Sequence, residues 1–85
     1  MHAAAIKALI EAGLPGCRAE VEGEDGVHFQ ARVVSEAFRG KLPLARHRMI
    51  YAVLGERMGG EIHALSLSAL TPEEAGRRES GMGNH

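Results

Sequence analysis

The sequence is poor in the residues that staple or stack a small domain. It has one cysteine, Cys17, no tryptophan, two phenylalanines and one tyrosine. A single thiol excludes an internal disulfide and suits a reducing cytoplasm. So few rings give no interleaved platform for stacking single-stranded nucleic acid. No apolar run approaches the roughly 18 residues of a membrane span. The opening MHAAAIKALIEAGL lacks a basic n-region, a long apolar stretch and a cleavage site, so no signal peptide is expected. A net charge of -1 offers no global electrostatic case for nucleic acid. No Ser-His-Asp set, carboxylate pair, phosphate loop or closed zinc motif can be assembled.

The chain has the composition of an ordinary globular domain, 45% hydrophobic and 25% charged over 85 residues. That length supports one two-layer core, burying about 60% of the surface an unfolded chain exposes. The charges are segregated. Glu20, Glu22, Glu24 and Asp25 crowd one stretch, whereas Arg39, Lys41, Arg46, Arg48 and Arg57 lie further on, opposed there by Glu56.

Ile6, Leu9, Ile10 and Leu14 follow helical spacing, and Gly13 with Pro15 stops that helix. Cys17, Ala19 and Val21 alternate with Arg18, Glu20 and Glu22, the pattern of a half-buried strand. The turn GEDG, Gly23 to Gly26, leads into a second strand with Val27, Phe29, Ala31 and Val33 inward. Residues 17 to 34 therefore predict a hairpin. Ser35 caps a short helical turn through Phe38, which Gly40 ends, and Pro43 opens a helix expected to run to about Met58 and stop at Gly59-Gly60. A third strand is expected from Glu61 to Ser68, with His63, Leu65 and Leu67 on one side. Thr71, Pro72, Glu73 and Glu74 are the cap, N1 proline and acidic first turn of a last helix. Beyond Gly76 no apolar period continues, so residues 1–75 form the expected domain and 76–85 a frayed tail.

The element order is α-β-β-α-α-β-α. Outward strand positions are polar or small (Arg18, Glu20, Gln30, Arg32, Ser66, Ser68), so the helices are expected to cover one face of the sheet. That is an α+β two-layer sandwich.

Four ordered motifs then point to a family. They are VVS..F.G (Val33, Val34, Ser35, Phe38, Gly40), RHR..Y..L (Arg46, His47, Arg48, Tyr51, Leu54), IHAL (Ile62 to Leu65) and TP (Thr71, Pro72). In these the chain resembles the BolA-like family, over roughly residues 5 to 75. The resemblance implies a fold similar to the class II KH arrangement, with the second and third strands parallel in a three-stranded mixed sheet. It implies no catalysis, but an adaptor that pairs with a monothiol glutaredoxin and shares a bridging 2Fe-2S cluster with it and glutathione, in iron–sulfur trafficking or iron and stress regulation. It implies a ligand at His63 of the HAL motif and a second ligand, His or Cys, in the loop between the first two strands. Here that loop, EGEDGV, holds neither, and the nearest candidate is His28. By strand alternation His28 points to the solvent face and His63 to the helix side. Some family members are also DNA-binding transcription regulators. DNA and a second copy of the chain are the alternative partners.

His47 shares a helical face with Leu44, Tyr51, Leu54 and Met58, which predicts a packing role in a core stripe. Arg46 and Arg48, with Arg39 and Lys41 across the turn, form a basic face for phosphate, an acidic partner or the glutathione carboxylates. A KH domain clamps nucleic acid with a Gly-x-x-Gly loop, and GKLP, Gly40 to Pro43, lacks the second glycine. Cys17 alternates inward and reads as a small core residue.

Overall fold

The computed structural model describes residues 1–62 and 64–82, the last five of these as backbone alone. The elements are α1 (Ala3–Gly13), β1 (Arg18–Glu22), β2 (His28–Val34), a 3-10 turn (Glu36–Phe38), α2 (Pro43–Leu54), a second 3-10 turn (Gly55–Arg57), β3 (Ala64–Leu70) and α3 (Pro72–Met82). The sheet order is β1-β2-β3. β1 pairs antiparallel with β2, and β2 pairs parallel with β3, from His28 opposite Ala64 to Val34 opposite Leu70.

Alternation decides which face is buried, as expected. Ala19, Phe29, Ala31 and Val33 pack on Ile6 and Ile10 of α1, on Leu14 directly after it, and on Ile50 and Leu54 of α2. Each large apolar side chain removed from water here contributes about 1.5–3 kcal/mol. The opposite face carries Glu20, Gln30 and Ser66, all exposed. At its far end Val34 and Leu70 share the alternation of that polar face, yet form a separate buried cluster with Ala75 of α3. The last helix therefore closes that end of the sheet.

Local chemistry sets several boundaries where they were expected. Ser35 Oγ accepts from Ala37 N–H at 3.0 Å and starts the first 3-10 turn. Thr71 and Glu74 form a reciprocal capping box: Glu74 N–H donates to Thr71 Oγ1 at 3.2 Å, and Thr71 N–H donates to Glu74 Oε1 at 3.0 Å.

Other boundaries move. α2 ends at Leu54 rather than near Met58, because Gly55 takes φ 56° and breaks the helical path before Gly59-Gly60 is reached. β3 begins at Ala64 rather than Glu61. The residues before it form a turn in which Ile62 N–H donates to Arg57 C=O and Gly59 N–H to Ile62 C=O, at 2.9 and 2.8 Å. Ile62 is a fully buried plug rather than a strand residue. The strand runs on past Ser68, and its last residue, Leu70, accepts from Ser35 N–H at 2.9 Å. α3 continues past Gly76 to Met82, where a tail was expected, helped by its capping box and an Arg77–Glu73 contact at 3.3 Å.

The stripe assigned to α2 also needs correction. Its buried residues are Arg46, Ile50 and Leu54. Leu54 of that stripe is buried and Met58 half-buried, but Leu44 is 63% exposed and Tyr51 39%, so its first part faces solvent, and His47 is half-buried at its side.

Candidate functional site

The turn between β1 and β2 is organised by Asp25. Its Oδ1 accepts from the N–H groups of Val27 at 2.9 Å and His28 at 2.8 Å, while Oδ2 lies 2.7 Å from Nδ1 of His28. Gly26, at φ 76°, lets the chain reverse directly after it. The His28 backbone N–H, then its ring, then the Val27 N–H hold the Asp25 carboxyl well below the usual carboxylate range. An ionised carboxylate is an acceptor only, so Nδ1 of His28 donates to it, and the neutral form of the ring then has its lone pair on Nε2.

A ring fixed in this way is the arrangement that orients a metal-binding imidazole: a carboxylate behind one nitrogen and the other nitrogen presented outward. The His28 side chain is 73% exposed. It borders a shallow depression of about 360 Å³ with Glu22, Gly23, Glu24, Gln30 and Ser66. His28 stands opposite Ala64 in the parallel ladder, and Ala64 is the residue that follows His63. His63 itself lies outside the described residues.

Asp25 was read from the sequence only as turn chemistry. The signal for more was local: an aspartate three residues before a histidine, with a glycine between them.

The four cations of the basic region separate. Arg46 is corrected from a surface contact to an internal strut, only 8% exposed. Its Nη1 and Nη2 bond the Glu74 carboxylate at 2.6 and 3.2 Å, Nη1 also reaches Ala69 C=O at 3.0 Å, and Nε reaches Lys41 C=O at 2.7 Å. Arg39 clamps Glu36 through two nitrogens at 2.8 and 3.0 Å and touches Glu73 at 3.4 Å. Lys41 and Arg48 are exposed. The segment before Gly40 is a three-residue 3-10 turn rather than a full helix. With Arg46 internal and Arg39 paired, the set open to phosphate narrows to Lys41 and Arg48. Cys17 is half-buried, its Sγ donates to Ile10 C=O at 3.5 Å, and burial pushes its thiol up, as suits a packing residue.

A mixed three-stranded sheet backed by two long helices, with an exposed imidazole held by a carboxylate at one strand start, describes a small α+β module. The family of BolA-like proteins matches this sequence over residues 11–74. Human BolA-like protein 1 is 39% identical over 80 residues, covering 84% of this chain and 58% of its own length. This chain therefore spans less than two thirds of that relative. A bolA homologue from Coxiella burnetii superposes with a TM-score of 0.83 at 45% identity, covering 91% of this chain and 99% of its own. The BolA domain of SufE1 from Arabidopsis thaliana gives 0.72 at 38%, covering 85% and 93%. The chain belongs to the BolA-like family.

Proposed function

We propose that this BolA-like chain is an adaptor rather than an enzyme, which binds a monothiol glutaredoxin in the cytoplasm and donates imidazole to a bridging 2Fe-2S cluster. The observation that carries the reading is the Asp25–His28 pair, with Nδ1 engaged at 2.7 Å on a side chain that is 73% exposed. Imidazole is a good iron ligand, and this donor chemistry fits the cluster that the family resemblance implies. His63, next to the residue paired with His28, is the companion ligand.

A 2Fe-2S cluster takes four protein or thiol ligands, and one thiol raised by burial cannot complete such a set. The remaining ligands are then thiolates of the glutaredoxin and of glutathione. In this arrangement Asp25 keeps the His28 ring in one tautomer and one orientation, so that binding the iron does not first require the ring to be ordered.

The test is reconstitution of the cluster with a purified monothiol glutaredoxin and glutathione, followed by visible circular dichroism. His28→Ala and His63→Ala should each change the spectrum or shorten the lifetime of the cluster. Asp25→Asn should give a weaker change of the same kind, because an amide is a poorer partner for Nδ1–H. Two results would remove the proposal: a stable cluster on this chain alone without thiols, or spectra indifferent to both histidines.

A further inference from the structure

The phase of the sheet ladder leaves one edge open. Ala64 N–H donates to Val27 C=O at 3.3 Å, and Leu70 C=O accepts from Ser35 N–H at 2.9 Å, so the even-numbered residues of β3 engage β2. The peptide groups of Leu65, Leu67 and Ala69 therefore turn to the other edge. Ala69 confirms the phase, since its C=O is the one taken by Arg46. Leu65 and Leu67 have no such cover among the described residues. The opposite edge is guarded: Glu11 Oε2 accepts from Ala19 N–H at 3.1 Å, and Glu20 and Glu22 flank the rest of β1.

From Leu67 onward this edge borders a groove of about 650 Å³, walled by Pro43, Arg46 and His47 of α2 and by Glu74 and Arg77 of α3, and Leu65 lies just before it along the strand. Leu44, three residues before His47, and Tyr51, four after it, continue that side of α2 and are the exposed stripe noted above. Leu42, at the mouth of the helix, is 78% exposed. Lys41 and Arg48 stand among these side chains, and neither has a carboxylate partner among the described residues.

We propose that this groove binds an extended, acidic peptide segment of a partner protein by strand addition to β3. Backbone groups two residues apart, at roughly 7 Å, match the repeat of an extended chain. Its alternate apolar side chains would rest on Leu44 and Tyr51, and its carboxylates would meet Lys41 and Arg48. Nucleic acid fits less well, because the exposed large side chains here are two leucines and a single ring, too little for stacking. The proposal is independent of the cluster ligands and uses neither His28 nor His63.

The test selects linear dodecapeptides from a displayed random library on the full chain, then follows amide hydrogen exchange with the enriched peptide. Strand addition predicts acidic, alternating sequences and slowed exchange at Leu65 and Leu67. Methylating alternate peptide nitrogens should abolish binding, and Leu44→Asp or Tyr51→Asp should weaken it by about tenfold or more while leaving the melting temperature unchanged. Failure to enrich any sequence, or enriched peptides that leave both amides unprotected, would overturn it. So would an oligodeoxythymidylate that protects these amides better than the peptide, or protection that rises with protein concentration alone and so marks a second copy.

Discussion

Arg46 is the residue at which a surface role and an internal role predict opposite results. Truncation to alanine removes four hydrogen bonds and the aliphatic stem, and the guanidinium also lies 6.0 Å from the centre of the Phe38 ring. The terms are unequal. Glu74 is 35% exposed and keeps its bond from Thr71 N–H, so it rehydrates, and losing the pair itself costs little. Ala69 is 9% exposed, and its carbonyl would lose a charged donor with little water to replace it, at about 1–2 kcal/mol. Loss of the buried aliphatic stem adds about 1 kcal/mol. Together these give about 2–3 kcal/mol, which for a domain of this size lowers the melting temperature by about 10–20 °C. The assay is reversible thermal unfolding by far-UV circular dichroism, with Arg48→Ala as the exposed control, expected within about 0.5 kcal/mol of wild type. Arg46→Lys should recover only part of the loss, since an ammonium cannot fork onto both Glu74 oxygens. If Arg46→Ala melted together with Arg48→Ala, the strut would be refuted and Arg46 returned to the surface.

Three further outcomes follow from the same geometry. The Arg46 guanidinium first, then the Thr71 N–H, lower the Glu74 carboxyl from 4.5 to about 2, so its contribution to stability is complete above about pH 4.5 and is lost as pH falls toward 2; Glu74→Gln should flatten that part of an acid-unfolding curve, and an unchanged curve would count against the pair. A Cβ on Gly23 would stand 2.5 Å from the Phe29 ring and 2.6 Å from His28 C=O, so Gly23→Ala should cost about 1–3 kcal/mol and disturb the His28 amide resonance, whereas a wild-type melt and spectrum would show that the turn has slack. His47 is half-buried beside a solvent-facing stripe, so His47→Ala should cost less than about 1 kcal/mol, and a larger drop in the melting temperature would restore the core role expected from its spacing.

The parts of the fold that were legible are those whose signal is local. Phe29, Ala31 and Val33 alternate with polar neighbours because one face of β2 is buried, and a one-residue slip would have reversed the whole pattern. Thr71-Pro72-Glu73-Glu74 announces a helix start because the capping box closes within four residues. α2 was misread for a different reason. It carries two apolar sets, Leu44 with Tyr51 and Met49 with Ile50 and Val53, and helical period alone does not say which faces the sheet. The choice is made by Arg46, whose partner Glu74 is 28 residues away, and no local pattern reveals that an arginine belongs inside. Ile62 misled in the same way: its place in an alternating run suggested a strand, whereas burial beside Met58 makes it a plug before the strand begins. The candidate sites divide along this line. The Asp25–His28 pair spans three residues and could have been found in the sequence, since both groups sit in one turn. The open edge at Leu65 and Leu67 could not, because which peptide groups of β3 point outward depends on its pairing with β2, more than thirty residues earlier in the chain. Exposed leucines at positions 42 and 44 were visible as letters, but they gain a meaning only once α2 is known to present them beside an unpaired strand.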